Sequence, residues 1–188
     1  MINVNKLLKG DYYMKIKKLK GYNIEDAIIN EKQNMIIYRS IENPNITIKF
    51  VEYDNNYRFI NIANNGILND LPSGIPCEIY TRDNELSQSI HRDNGEISSL
   101  NSPAMIFFKD DCLYNKFIIN GVEMSYNEFD FKRSIINPIN FEDIDIINEK
   151  IKNGLFELNK LLELKERELD ILVNNNVVKP TTFKYYSE

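Results

Sequence analysis

The chain has 188 residues, 43% of them hydrophobic, which is enough for one domain of ordinary size with a sizeable core and excludes wholesale disorder. A formal net charge of −5 argues against a general nucleic-acid binder. Two cysteines are too few for a disulfide scaffold in a chain this long and fit a reducing compartment.

Residues 1–34 read as a basic N-terminal segment with a short helix. Lys6, Lys9, Lys15, Lys17, Lys18 and Lys20 stand there against Asp11 alone up to position 20. Ile24 to Ile29 reads as one or two helical turns with Asn23 as N-cap. Lys15 to Lys20 reads as an edge strand protected by lysines, or as a phosphate-binding patch together with Tyr12 and Tyr13. Lys6 and Lys9 have no apolar stretch behind them, which argues against a signal peptide, and no apolar run approaches the ~18 residues of a membrane span. The expectation is a cytoplasmic protein with no membrane contact, in a bacterial host or an infected cell. Ile and Asn each make up about one residue in seven, a usage that suggests an AT-rich genome.

Residues 35–133 read as a β-hairpin repeat domain. From Met35 the hydrophobic period becomes two, through Met35 to Arg39, Ile46 to Tyr53 and Arg58 to Ile62, with a hairpin at Asp54-Asn55-Asn56. Pro76 aligns with Pro103 at an offset of about 27 residues, so Pro-Cys-Glu-Ile-Tyr lies over Pro-Ala-Met-Ile-Phe, and Pro44 opens a degraded earlier copy. Asn65-Gly66, Asn94-Gly95 and Asn120-Gly121 mark corresponding turns. Cys77, Ile79 and Thr81 face one way, as do Ala104, Ile106 and Phe108 in the next copy. Met105 and Phe107 make that second copy apolar on both faces, so something has to cover its outer face, and the C-terminal helix is the candidate.

Residues 138–175 read as one long C-terminal helix with Asn140 as N-cap, and residues 176–188 as a tail. Ile144, Ile147, Ile151, Leu155, Leu158, Leu162, Leu169 and Leu172 keep helical spacing, and Leu161 and Leu164 widen the stripe. Asn174-Asn175-Asn176 and Pro180 end it, and Gly154 is its weak point. Lys165 interrupts the seam that a coiled coil needs, which favours a helix packed on the sheet. The fold class expected is α+β, an antiparallel β-meander of tandem hairpin repeats with a long C-terminal α-helix.

Ile90-His91-Arg92-Asp93-Asn94-Gly95, followed by Ser102-Pro103-Ala104, resembles the HR-x-x-G-P-A unit of MORN-like repeats. Phe117-Ile118-Ile119-Asn120-Gly121 is similar to the Y-x-I-N-G strand of such repeats, and Ser125 to Phe129 to their Ser/Thr-x-x-Glu-Phe ending. The resemblance covers about residues 57–131, with an insertion between His91-Arg92 and Pro103-Ala104 and with Cys77 where a small Ala is expected. Repeats of this kind are common in phages and giant viruses. The resemblance implies a binding scaffold, not an activity.

The chemistry-bearing residues point the same way. His91 is the single histidine and reads as an imidazole holding a turn, with general acid-base work as its other use. Cys77 and Cys112 read as inert buried thiols. Asp83, Asp110 and Asp111 occupy turn positions where Asp is favoured and lack calcium-loop spacing. No glycine-rich phosphate loop is present, and no catalytic residue, cofactor or metal is assigned.

The function expected is a non-enzymatic protein-binding scaffold with no direct nucleic-acid contact. It would act as a phage-encoded inhibitor of a host defence protein, such as a CRISPR or other nuclease, by occluding a basic channel. Glu157, Glu163, Glu166, Glu168 and Asp170 are the carboxylates placed against that partner. A bacterial immunity or antitoxin protein, whose partner is a toxin, is one alternative, and a small enzyme with an unrecognised site is another.

Overall fold

The structure, a computed structural model, describes residues 16–30, 32–136 and 141–182. Its strands are β1 (Tyr22–Ile29), β2 (Gln33–Ser40), β3 (Ile46–Tyr53), β4 (Tyr57–Asn64), β5 (Ile67–Leu68), β6 (Glu78–Arg82), β7 (Glu85–Ile90), β8 (Arg92–Asp93), β9 (Glu96–Ile97), β10 (Met105–Lys109), β11 (Cys112–Ile119) and β12 (Val122–Met124). Three helices follow among the described residues: α1 (Tyr126–Ile136), α2 (Phe141–Leu162) and α3 (Glu166–Asn176). One ten-stranded antiparallel sheet runs β1-β2-β3-β4-β6-β7-β10-β11-β12, with β5 added onto β4, while β8 and β9 form a separate ribbon.

The meander repeats a unit of two strands and a short third one. The three copies are β3-β4-β5, β6-β7 with the β8-β9 ribbon, and β10-β11-β12. Turn chemistry explains why. Asp83-Asn84 and Asp110-Asp111 link the paired strands, and Asn65-Gly66, Asn94-Gly95 and Asn120-Gly121 follow them, all with positive φ at both residues. Two-residue turns of that hand match the twist of the flanking strands, and Asn, Asp and Gly tolerate them. Cys77 and Ala104 are equivalent: both are wholly buried, and their carbonyls accept the Ile62 and His91 amides at 2.7 and 2.8 Å.

Four expectations are corrected. Residues 24–29 are not helical; they belong to β1, which pairs with β2 and carries a bulge between Ile24 and Asp26, so residues 22–29 and 33–34 of the expected N-terminal segment join the sheet. Nor do residues 16–20 form an edge strand. Instead Lys17 pairs with Glu163, and its carbonyl accepts the Tyr38 hydroxyl at 2.7 Å. The terminal helix is two helices, because Glu163 turns left-handed at φ 55°. Leu164 N donates back to Asn159 Oδ1 at 2.8 Å, and Arg58 Nη1 takes the Leu162 carbonyl at 3.1 Å, which satisfies groups the helix end leaves open. Finally, the expected β-hairpin repeat domain does not continue to residue 133: from Ser125 the chain starts a helix. Ser125 N and Oγ donate to Glu128 Oε2 at 2.9 and 2.8 Å, while Glu128 N returns a bond to Ser125 Oγ at 3.4 Å, a capping box. Asn140, the expected N-cap of α2, lies outside the described residues, as do Tyr12 and Tyr13.

Both long helices cover one face of the sheet. Ile151, Leu155, Leu158, Leu161 and Leu162 of α2 and Leu169, Leu172 and Val173 of α3 share a core with Ile36, Ile48, Phe50, Ile60, Ile79 and Ile106. At the far end α1 sets Phe129 against Phe117 of β11, ring centroids 4.9 Å apart. Buried Asp130 and Arg133 then clamp the segment after α3, Arg133 donating to the Lys179 and Pro180 carbonyls at 2.7 and 2.9 Å. Among the described residues no helix is long and apolar enough to cross a membrane.

Candidate functional site

Two places stand out, a polar node around His91 and the face of the sheet that the helices leave open. The node begins in the loop between β5 and β6. Asp70 Oδ1 accepts the Cys77 and Arg92 amides, each at 3.0 Å, and Oδ2 accepts His91 Nδ1–H at 2.5 Å. The other ring nitrogen meets Asn176 Oδ1, at the end of α3, at 2.5 Å and Ser102 Oγ at 3.1 Å. A cavity of about 460 Å³ adjoins it, lined by Asp93, Ser98, Ser99, Asn120 and Lys150 among others.

Asp70, His91 and Ser102 stand in the order of a nucleophilic triad, so their protonation decides what they can do. Asn176 Nδ2 donates to the Leu172 carbonyl at 2.7 Å, which fixes Oδ1 toward the ring. An oxygen at 2.5 Å demands a proton on Nε2, and Asp70 demands one on Nδ1. Both contacts are satisfied together when the ring carries both protons, as an imidazolium. Burial pushes its pKa down, but the Asp70 charge and the bonds to Asp70 and Asn176 outweigh burial and hold it above the ordinary value. A protonated Nε2 cannot take the Ser102 proton, so in this arrangement His91 fastens segments together and does not act as a base.

The open face is defined by strand register. Ile28, Met35, Val51, Phe59, Tyr80, Gln88, Phe107 and Tyr114 are successive cross-strand partners from β1 to β11. At ~4.8 Å between strands, this row extends roughly 34 Å. Tyr53 and Tyr57 add to it beside Phe59, with neighbouring centroids 6.0 to 6.4 Å apart, and Phe59 lies 5.7 Å from Tyr80. Tyr114 stacks on Phe107 at 5.5 Å and remains 45% exposed. Ile28 and Tyr114 are exposed at its two ends, Met35, Phe59, Tyr80, Gln88 and Phe107 are half-buried, and Val51 is 2% exposed; none of the row belongs to the core that α2 and α3 share with the sheet. The apolar second face expected at Met105 and Phe107 is real, but the helices lie on the opposite side, over Ile106.

Exposed Lys49, Arg82 and Lys109 alternate onto the same open face, and none of them is ion-paired among the described residues. Its carboxylates are engaged: Glu78 binds Arg92 Nε at 2.5 Å and the Tyr80 hydroxyl at 2.6 Å, and Asp26 caps the Ala27 amide at 2.9 Å. A net-acidic chain thus carries a cationic, aromatic face.

The five carboxylates expected at a partner surface lie on the helix side. Glu168 is buried and accepts the Leu86 amide at 3.2 Å. Glu163 pairs with Lys17 and with Arg58 at 2.9 Å, and Glu157 with Lys160 and the Lys20 amide. Glu166 and Asp170 remain exposed. The structure thus commits three of the five to fastening α2 and α3 and does not gather them into one surface.

The two cysteines differ. Cys77 is buried, which pushes its thiol far up and keeps it protonated, whereas Cys112 is exposed, correcting the expectation of a buried thiol there. Asp83, Asp110 and Asp111 sit at left-handed turn positions. Among the described residues no group of three or more His, Cys, Asp or Glu could hold a metal ion. No family model, no curated protein and no solved structure matches this chain. The likeness to MORN-like repeats rests on the quoted motifs.

Proposed function

We propose that this protein is a non-enzymatic binding scaffold that holds a protein partner against the open face of its sheet. The observation that carries the reading is the row from Ile28 to Tyr114, apolar at seven of its eight positions and flanked by Lys49, Arg82 and Lys109. A protein with an apolar centre and carboxylates at its rim is the partner whose chemistry complements that face. The row and its neighbours on either side cover roughly 34 by 20 Å, close to the ~800 Å² that each side of a standard interface buries. Occluding the bound surface is the action such a rigid face supports.

The test compares recovery of a stoichiometric partner from the native cells by wild type, by a face variant (Lys49→Glu, Arg82→Glu, Tyr114→Asp) and by a helix variant (Glu166→Lys, Asp170→Lys). The proposal expects wild type and the helix variant to retain the same protein and the face variant to lose it. Equal recovery by all three, loss only with the helix variant, or elution of nucleic acid in place of protein would overturn it.

A further inference from the structure

His91 is reached by three separate segments: the loop carrying Asp70, the loop carrying Ser102, and the last residue of α3, Asn176. Nε2 is contested. Asn176 Oδ1 can only accept, and its amide is held in that orientation by the Leu172 carbonyl. Ser102 Oγ can either accept or donate, and its hydroxyl is free to rotate between His91 and Ser99 Oγ at 3.3 Å. With a proton on Nε2, Asn176 is the better partner, at 2.5 Å against 3.1 Å. Without it, two lone pairs would face each other across that 2.5 Å, while Ser102 could turn its hydrogen toward the nitrogen.

We propose that His91 is a proton-controlled latch on the C-terminal end of α3: doubly protonated it holds Asn176, and loss of the Nε2 proton to solvent hands that nitrogen to Ser102 and releases the helix end. Nδ1–H stays on Asp70 throughout. The helix end is also tied, among the described residues, by the exchange between Asn148 and Val178, at 2.7 and 3.1 Å, and by the Asn115–Asn175 bond at 3.1 Å. Buried Val173 and Val178 anchor it in the core, and Arg133 holds the Lys179 and Pro180 carbonyls just beyond it, so the latch governs the last turn and not the whole helix.

The charged and titratable groups around the ring are few. Asp70 touches it. Arg92 and Asp93 follow it on β8, Arg92 being tied to Glu78, and Lys150 of α2 lies across the cavity. The Cys77 thiol donates to the neighbouring Ile90 carbonyl at 3.6 Å. The loop through Ser98, Ser99 and Ser102 and the adjoining end of α3 present neutral groups.

Because His91 is the single histidine, imidazole nitrogen NMR on the full chain reads its state without ambiguity. Wild type should show both nitrogens protonated at pH 6 and, above the transition, a neutral ring protonated on Nδ1. Over the same interval the amide protection factors from Val173 to Val178 should fall roughly tenfold or more. The two rivals for Nε2 should move the midpoint oppositely: Asn176→Ala lowers it and Ser102→Ala raises it. A bare Nε2 at pH 6, protection that ignores the transition, or midpoints moving together would overturn the latch. The wild-type titration and exchange decide the matter even if a variant fails to fold.

Discussion

Gly154 of α2 faces Ile75 so closely that a Cβ on it would stand 2.1 Å from Ile75 Cδ1 and 3.3 Å from Cγ1. A glycine inside a helix costs about 1 kcal/mol relative to alanine, so Gly154→Ala would ordinarily stabilise. Here Ile75 is buried under the helix, and overpacking of such a site costs about 1–3 kcal/mol. Gly154→Ala should therefore lower the urea midpoint. Ile75→Val combined with Gly154→Ala should recover part of the loss, and strict additivity in that double-mutant cycle would contradict the contact.

Ile106 and Tyr114 test the assignment of faces. Ile106 is 1% exposed beneath the helices, and an unpaired carboxylate there should abolish the cooperative thermal transition. Tyr114→Asp, on the open side, should shift the melting temperature by a few degrees at most. Similar melting of both variants would mean the helices do not lie where described.

The clamp between α1 and the segment after α3 should be sensitive to acid. Burial raises the Asp130 pKa, but bonds from Thr182 and then Arg133 outweigh burial and leave it lowered. A lowered carboxyl contributes stability that is present above its unfolded value of about 3.9 and is lost as pH falls through the folded value. Arg133→Ala strands the buried carboxylate and should cost about 3–5 kcal/mol at neutral pH. That deficit, measured by urea unfolding, should shrink below about pH 4. A deficit that stays constant down to pH 2 would count against the clamp.

His91 should act in the opposite sense. Its pKa is raised in the fold, so its contribution is complete below the unfolded value of about 6.5 and is lost as pH rises through the folded value. The stability difference between wild type and His91→Gln should be flat at pH 5–6 and decline in alkali. A difference that grows with pH would mean a neutral, Nε2-bare ring.

How far the sequence reveals this molecule depends on the range of the interactions. The hairpins were legible because Asn-Gly, Asp-Asn and Asp-Asp turns act within four residues, and period-two alternation marks each strand locally. The buried stripe from Ile144 to Leu172 was legible for the same reason. The strand at Tyr22–Ile29 was not, because short polar and apolar runs suit a helix turn as well, and pairing with β2 decides the matter. No Gly or Pro marks the break at Glu163, which is held by Arg58, 105 positions back. The node at His91 collects partners 11, 21 and 85 residues away, beyond any local pattern. The alternation at Met105 and Phe107 revealed two apolar faces, but the helices take the Ile106 face and not the outer one expected, because alternation marks both faces alike and only tertiary packing chooses between them.

The most direct test of the open face is hydroxyl-radical footprinting of the free protein and of its isolated complex, with wholly buried Tyr38 as internal reference. Tyr53, Tyr57, Tyr80, Phe107 and Tyr114 should be modified in the free protein, and their labelling should fall several-fold in the complex while Glu166 and Asp170 stay solvent-accessible. Protection of those aromatics in the free protein, or labelling that the partner leaves unchanged, would contradict the account.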